Sequence, residues 1–132
     1  MESVFTDLKH LYLKELEVPL YRGKLVIILT NDKEQLQKYI PDFEDKEPYA
    51  HTWLVNWKGK QGFVIVLNFE NSFRKIYNGT ITHEAIHATH FIAQERGIEA
   101  DFLNDEPITY LAEFITDEIY KLMTKHNFKA IS

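Results

Sequence analysis

An α+β domain is predicted, a small sheet carrying a β-hairpin and followed by two helices, on three observations. Two runs of Val, Ile, Leu and Phe, Leu25 to Leu29 and Phe63 to Leu67, are strand-sized. From Thr80 onward the apolar residues switch to helical spacing. A chain of 132 residues and 15.6 kDa has room for one core, and no repeat or Pro/Gly-rich linker divides it, so a single domain over residues 1–132 is expected.

The elements follow in order. Phe5, Leu8, Tyr12 and Leu16 share a helical face, which predicts a helix ending near Pro19, although Leu11 and Leu13 also fit strand alternation. Lys24 to Thr30 reads as a strand, and Asn31-Asp32 as the cap of a short helix from Lys33 to Tyr39 that Pro41 stops. Phe43 to Pro48 reads as an acidic loop. Tyr49 to Trp57 and Gly62 to Phe69 predict a hairpin, because Gly59 between them supplies the positive φ that tight turns need. Ile81, Ala85, Ala88 and Ile92 mark a buried helix running to Gly97. A second helix is expected after a cap at Asn104 or Asp105, with Pro107 in its first turn and Ile108, Leu111, Ile115, Ile119 and Leu122 as its apolar stripe.

Composition narrows the function classes. With 45% hydrophobic and 27% charged residues the chain has the material for a packed core, unlike disordered sequences. A net charge of -5 argues against affinity built on phosphate neutralisation, so nucleic acid is not an expected partner. No apolar run approaches the ~20 residues that span a bilayer, and residues 1–7 lack a basic segment leading into an apolar one. A soluble, cytoplasmic protein without a membrane partner is the expectation. Cysteine is absent, so any metal must be held by His, Asp or Glu.

That restriction gives weight to His83-Glu84-Ala85-Ile86-His87, an HExxH motif inside the first long helix. Residues four apart on a helix lie ~40° apart, so both imidazoles leave one face and can bind one ion. Glu84, rotated ~100° from His83, comes beside the metal as a base for water. A chance match in this composition is expected about 0.03 times.

A zinc ion needs a third protein ligand. His90 shares the face but lies ~10.5 Å of helix rise beyond His83, too far to close on the same ion, which leaves it a supporting or substrate-facing role. Glu106, at the start of the second helix, can come opposite the motif if the two helices form an antiparallel pair. Glu106, Tyr110, Glu113 and Asp117 fall within one arc of that helix. If the arc faces the motif, Glu113 or Asp117 can accept the free ring N–H of a ligand His, and Tyr110 can donate to a developing oxyanion; otherwise it is a solvated face.

His83-Glu84-x-x-His87 followed by Glu106 resembles the gluzincin division of the zincin metallopeptidases, which includes the thermolysin-like enzymes. More closely, residues 82–119, with His83-Glu84-Ala85-Ile86-His87-Ala88 and Glu106-Pro107-Ile108-Thr109-Tyr110-Leu111, are similar to small metallopeptidase-like proteins of bacteriophages and prophages. The resemblance covers about a third of the chain. It implies a minimal zincin-like fold, with a β-hairpin packed on the active-site helix and an antiparallel helix after it. It implies zinc held by His83, His87 and Glu106, Glu84 as general base, and a peptide or protein substrate. Zincins pair an extended substrate with an edge strand above the metal, and Gly62 to Phe69 is the expected counterpart here, either with one face against the core and the other walling the cleft or with both faces buried.

The chain departs from two patterns. Thermolysin-like enzymes carry an Asp four residues after the ligand Glu, where this chain has Tyr110. The metzincin pattern fails at His90, where that group has Gly, and at Ala93, where it has its third His. Two other functions remain consistent with the motif: a non-catalytic phage-type interaction module or inhibitor that keeps the metal as a structural staple, and a zinc hydrolase acting on another bond.

Overall fold

Strand β1 (Leu11–Glu17) turns back antiparallel onto β2 (Lys24–Thr30), which leads into helix α1 (Lys33–Tyr39). Strands β3 (Ala50–Trp57) and β4 (Lys60–Asn68) form an antiparallel hairpin, and β4 docks parallel to β2, giving a sheet ordered β1-β2-β4-β3. A short strand β5 (Lys75–Tyr77), helices α2 (Asn78–Glu95) and α3 (Glu106–Lys125), and strand β6 (Lys129–Ile131) complete the order. The architecture is mixed α+β, seen in a computed structural model that describes residues 9–41, 50–68, 74–99, 101 and 103–132. The expected loop Phe43 to Pro48, and Phe5, Leu8, Tyr49 and Phe69, lie outside the described residues.

The sheet separates two apolar layers. Leu25, Ile27, Leu29, Phe63, Ile65 and Leu67 face α2 and α3, joined by Ile81, Ala88, Ile92, Leu111, Ile115 and Ile119. Val26, Ile28, Val64 and Val66 face the other way, against Leu36, Ile40 and Trp57. All residues of Leu25–Leu29 and Phe63–Leu67 are fully buried. Burying each such side chain contributes ~1.5–3 kcal/mol, so strands apolar on both faces are most stable in the middle of a covered sheet. β4 is therefore central, and the expectation that Gly62 to Phe69 forms an exposed edge is corrected: among the described strands the edge beside α2 is β3.

A second correction concerns Leu11 to Glu17, the described part of the expected first helix, which is strand β1. Tyr12 and Leu16 are four apart, and four is a multiple of the strand period of two as well as close to one helical turn. In the strand, Tyr12 and Leu16 pack on the α2–α3 side while Leu11 and Leu13 pack on the α1 side, so alternation accounts for all four. The β5–β6 pair, three residues long in each strand, carries no pattern that the sequence reading detected.

Several local expectations hold. The Asp32 side chain accepts from the Gln35 N–H at 3.1 Å and caps α1. The β3–β4 turn is shorter than the interval Lys58 to Gln61: Trp57 pairs with Lys60, and Lys58 and Gly59 both have positive φ, as a type I′ turn requires. Gly97, at φ 69°, ends α2 in a Schellman motif, with Ile98 N–H donating to the Ala93 carbonyl at 2.8 Å. Asp105 occupies the N-cap position of α3, but its side chain makes no capping bond.

α2 lies against the sheet with Ile81, Ala85, Ala88 and Ile92, and α3 packs beside it. Tyr120, near the end of α3, hydrogen-bonds Asn78 at the start of α2, so the two helices run antiparallel. Arg96, just after α2, donates from Nε to the Tyr21 carbonyl at 2.6 Å and fastens the helix end to the β1–β2 turn. No helix among the described residues is long and apolar enough to cross a membrane.

Candidate metal centre

The HExxH motif occupies the second and third turns of α2, and helical geometry divides its residues between two environments. His83 and His87 emerge on the exposed face, while Glu84, one step around, is carried toward β3 and is only 5% exposed. The imidazoles converge: their Nε2 atoms stand 3.0 Å apart, with the rings edge to face at 78°. Without a metal, one Nε2–H donates to the other ring's lone pair. Two imidazole nitrogens on a tetrahedral zinc, each 2.0–2.1 Å from the ion, would be about 3.4 Å apart, so the observed spacing is close to that of a pair of zinc ligands. The His83–His87 pair fits zinc, which takes at least one further protein ligand.

Glu84 reaches the same place from below. Its Oε2 lies 3.8 Å from His83 Nε2, while Oε1 accepts a hydrogen bond from the Thr52 hydroxyl at 2.6 Å. The three motif residues border a cleft of about 180 Å3 with Phe91 of α2 and Ala50, His51 and Thr52 of β3. Because Trp57 and Lys60 flank a two-residue turn, they form a hydrogen-bonded pair, and this pairing recurs at every second residue of β3. Ala50, Thr52 and Leu54 therefore turn their backbone N–H and C=O groups away from β4, to the side of β3 that no described strand covers. Ala50 and Leu54 pack on the α2–α3 side, Val55 and Trp57 on the α1 side, and His51 borders the cleft between Ala50 and Thr52.

The remaining candidates lie elsewhere. Glu106 is exposed in the first turn of α3 and does not border the cleft. Among the described residues, no three His, Asp or Glu side chains are drawn together closely enough to hold a metal ion. Tyr110, Glu113 and Asp117 are exposed on the same helix; Tyr110 and Glu113 do not border the cleft, and Asp117 borders a separate groove with Tyr120, Lys121, Thr124 and Lys125. His90 is exposed on α2, outside the cleft lining. Thr52 was missed by sequence reasoning: it is 32 residues from Glu84, and no local pattern announces a contact made by packing a helix on a strand.

No family model, curated protein or solved structure matches this chain.

Proposed function

We propose that the chain is a zinc-dependent metallopeptidase of minimal gluzincin-like design, resembling those of phages and prophages and working in the cytoplasm. The observation that carries the reading is the convergence of His83 and His87 on an exposed face, directly above a buried Glu84 and beside β3, an edge strand among the described residues. In this reading His83, His87 and Glu106 would hold the ion. When bound, zinc polarises a carbonyl and acidifies water.

The protein's own groups do the rest. Glu84 takes the proton of the attacking water and delivers it to the departing amine nitrogen. Its burial keeps bulk water from competing for that carboxylate. The outward N–H and C=O groups of Ala50, Thr52 and Leu54 pair with an extended peptide and lay its carbonyl over the His pair. Strand β3 thus takes the part that the sequence assigned to Gly62 to Phe69.

The test is Glu84→Gln, which preserves volume and the metal ligands but cannot accept a proton. Zinc content and melting temperature are expected to stay near wild type. Cleavage of a peptide library, read by mass spectrometry with a chelator control, should fall by ~10²–10⁴-fold. Full-rate cleavage by Glu84→Gln rejects the mechanism. A wild type that binds zinc and cleaves nothing shifts the assignment to the metal-stapled interaction module.

A further inference from the structure

We infer that Thr52 is a positioning residue for the base: its hydroxyl anchors one oxygen of the Glu84 carboxylate and so aims the other at the cleft. The inference rests on the hydrolase reading and deepens it. Both residues are buried, Thr52 at 7% and Glu84 at 5% exposure, and the 2.6 Å bond between them joins the sheet edge to the active-site helix.

An ionised carboxylate has two acceptor oxygens and no donor, and its terminal torsion is soft, so nothing intrinsic to Glu84 selects which oxygen faces a substrate. A hydroxyl–carboxylate bond of this length is charge-assisted and removes that freedom. With Oε1 held by Thr52, Oε2 is the oxygen nearest His83, at 3.8 Å from Nε2. One oxygen is thereby assigned to the scaffold and the other to proton transfer.

The position of Thr52 adds a second consequence. Its backbone faces the edge of β3 that no described strand covers while its side chain holds Glu84, so the residue that would pair with a peptide also sets where the base stands. A base must be placed to within a fraction of an ångström of the proton it takes, and a link through one residue transmits strand position directly.

The experiment compares Thr52→Val, which keeps the shape and loses the donor, with Thr52→Ser, which keeps the donor. Both are made in the full chain and loaded with zinc. Acetohydroxamate serves as the probe, since it binds zinc through its oxygens and donates a proton to a neighbouring base. Zinc content should be equal in wild type and both variants. In Thr52→Val the acetohydroxamate Kd should weaken about 10-fold, and kcat on a peptide identified from the library should fall about 10-fold with KM nearly unchanged. Thr52→Ser should recover most of both.

Thr52→Val behaving as wild type overturns the positioning role and leaves the hydrolase intact. Equal losses in both variants, or loss of zinc in Thr52→Val, make Thr52 a packing residue and also overturn it. A wild type that takes up no zinc overturns the hydrolase reading and this inference together.

Discussion

Lys14 of β1 places its ammonium 2.5 Å from the Glu118 carboxylate of α3, tying the outer strand of the sheet to the last helix. Lys121 holds the other oxygen of Glu118 at 3.2 Å, so a buried carboxylate is held between two cations. Burial alone would raise the Glu118 pKa, but the hydrogen bonds and charges of Lys14 and Lys121 outweigh it and hold the carboxyl below its usual value. Lys14→Met should destabilise the fold by about 1–2 kcal/mol in denaturant titrations, less than for a fully buried pair because the lysine is partly solvated. A depressed carboxyl pKa stabilises above the unfolded value of 4.5 and ceases to do so as the pH falls through the folded one. The gap between wild type and Glu118→Gln should therefore shrink in acid.

His126 titrates in a higher window. Burial, and then the charges of Lys125 and Arg74, lower its pKa from 6.5, and its ring stacks on Tyr12 with centroids 4.0 Å apart. The unfolded chain binds this proton more readily than the folded one, so stability is complete above pH 6.5 and declines as the pH falls below it. His126→Phe keeps a ring on Tyr12 and removes the proton. Its melting temperature should vary less than that of wild type between about pH 7.5 and 5.5. Equal slopes would discard the assignment.

Zinc should bind at close to one ion per chain and raise the melting temperature, with about 2.7 kcal/mol of stabilisation at a free concentration of 100 times Kd. His83→Ala and His87→Ala should each abolish both effects, since each removes one of the two converging nitrogens. Stoichiometric zinc in the double variant, measured by elemental analysis, would place the ion elsewhere.

Glu106 and Glu113 are separated by competition against a chelator. If Glu106 supplies the third ligand, Glu106→Gln should weaken zinc by more than the ~10–100-fold typical of losing a supporting group, and Glu113→Gln should fall within or below that range. The opposite ranking would move the third ligand two turns along α3.

Much of the fold could be read from local signals. Asp32 before an amphipathic turn, Gly97 after the last buried residue of α2 and Gly59 between two strands each act within a few residues, and each performs its expected role. The two imidazoles share a face because a helix obliges residues four apart to do so. What escaped the sequence is pairwise and distant. Tyr12 and Leu16 fit both periods, and only the pairing of β1 with β2 decides between them. Phe63 to Leu67 is apolar on both faces, but which strand lies at the edge depends on β4 docking against β2 across more than thirty residues. Thr52 meets Glu84 only where α2 packs on β3, again far apart in sequence.

The two-residue turn at Lys58-Gly59 acts as an alignment key for the chemistry at the far end of its hairpin. Strand β4 is apolar on both sides, so its own pattern does not resist a slide by one residue; the turn closing Trp57 onto Lys60 fixes the pairing of Thr52 with Ile65. A one-residue slip would reverse the faces of β3 and send the Thr52 hydroxyl toward α1, away from Glu84. The orientation of a carboxylate on α2 is thus inherited from a bend more than twenty residues upstream of it, which has no chemistry of its own.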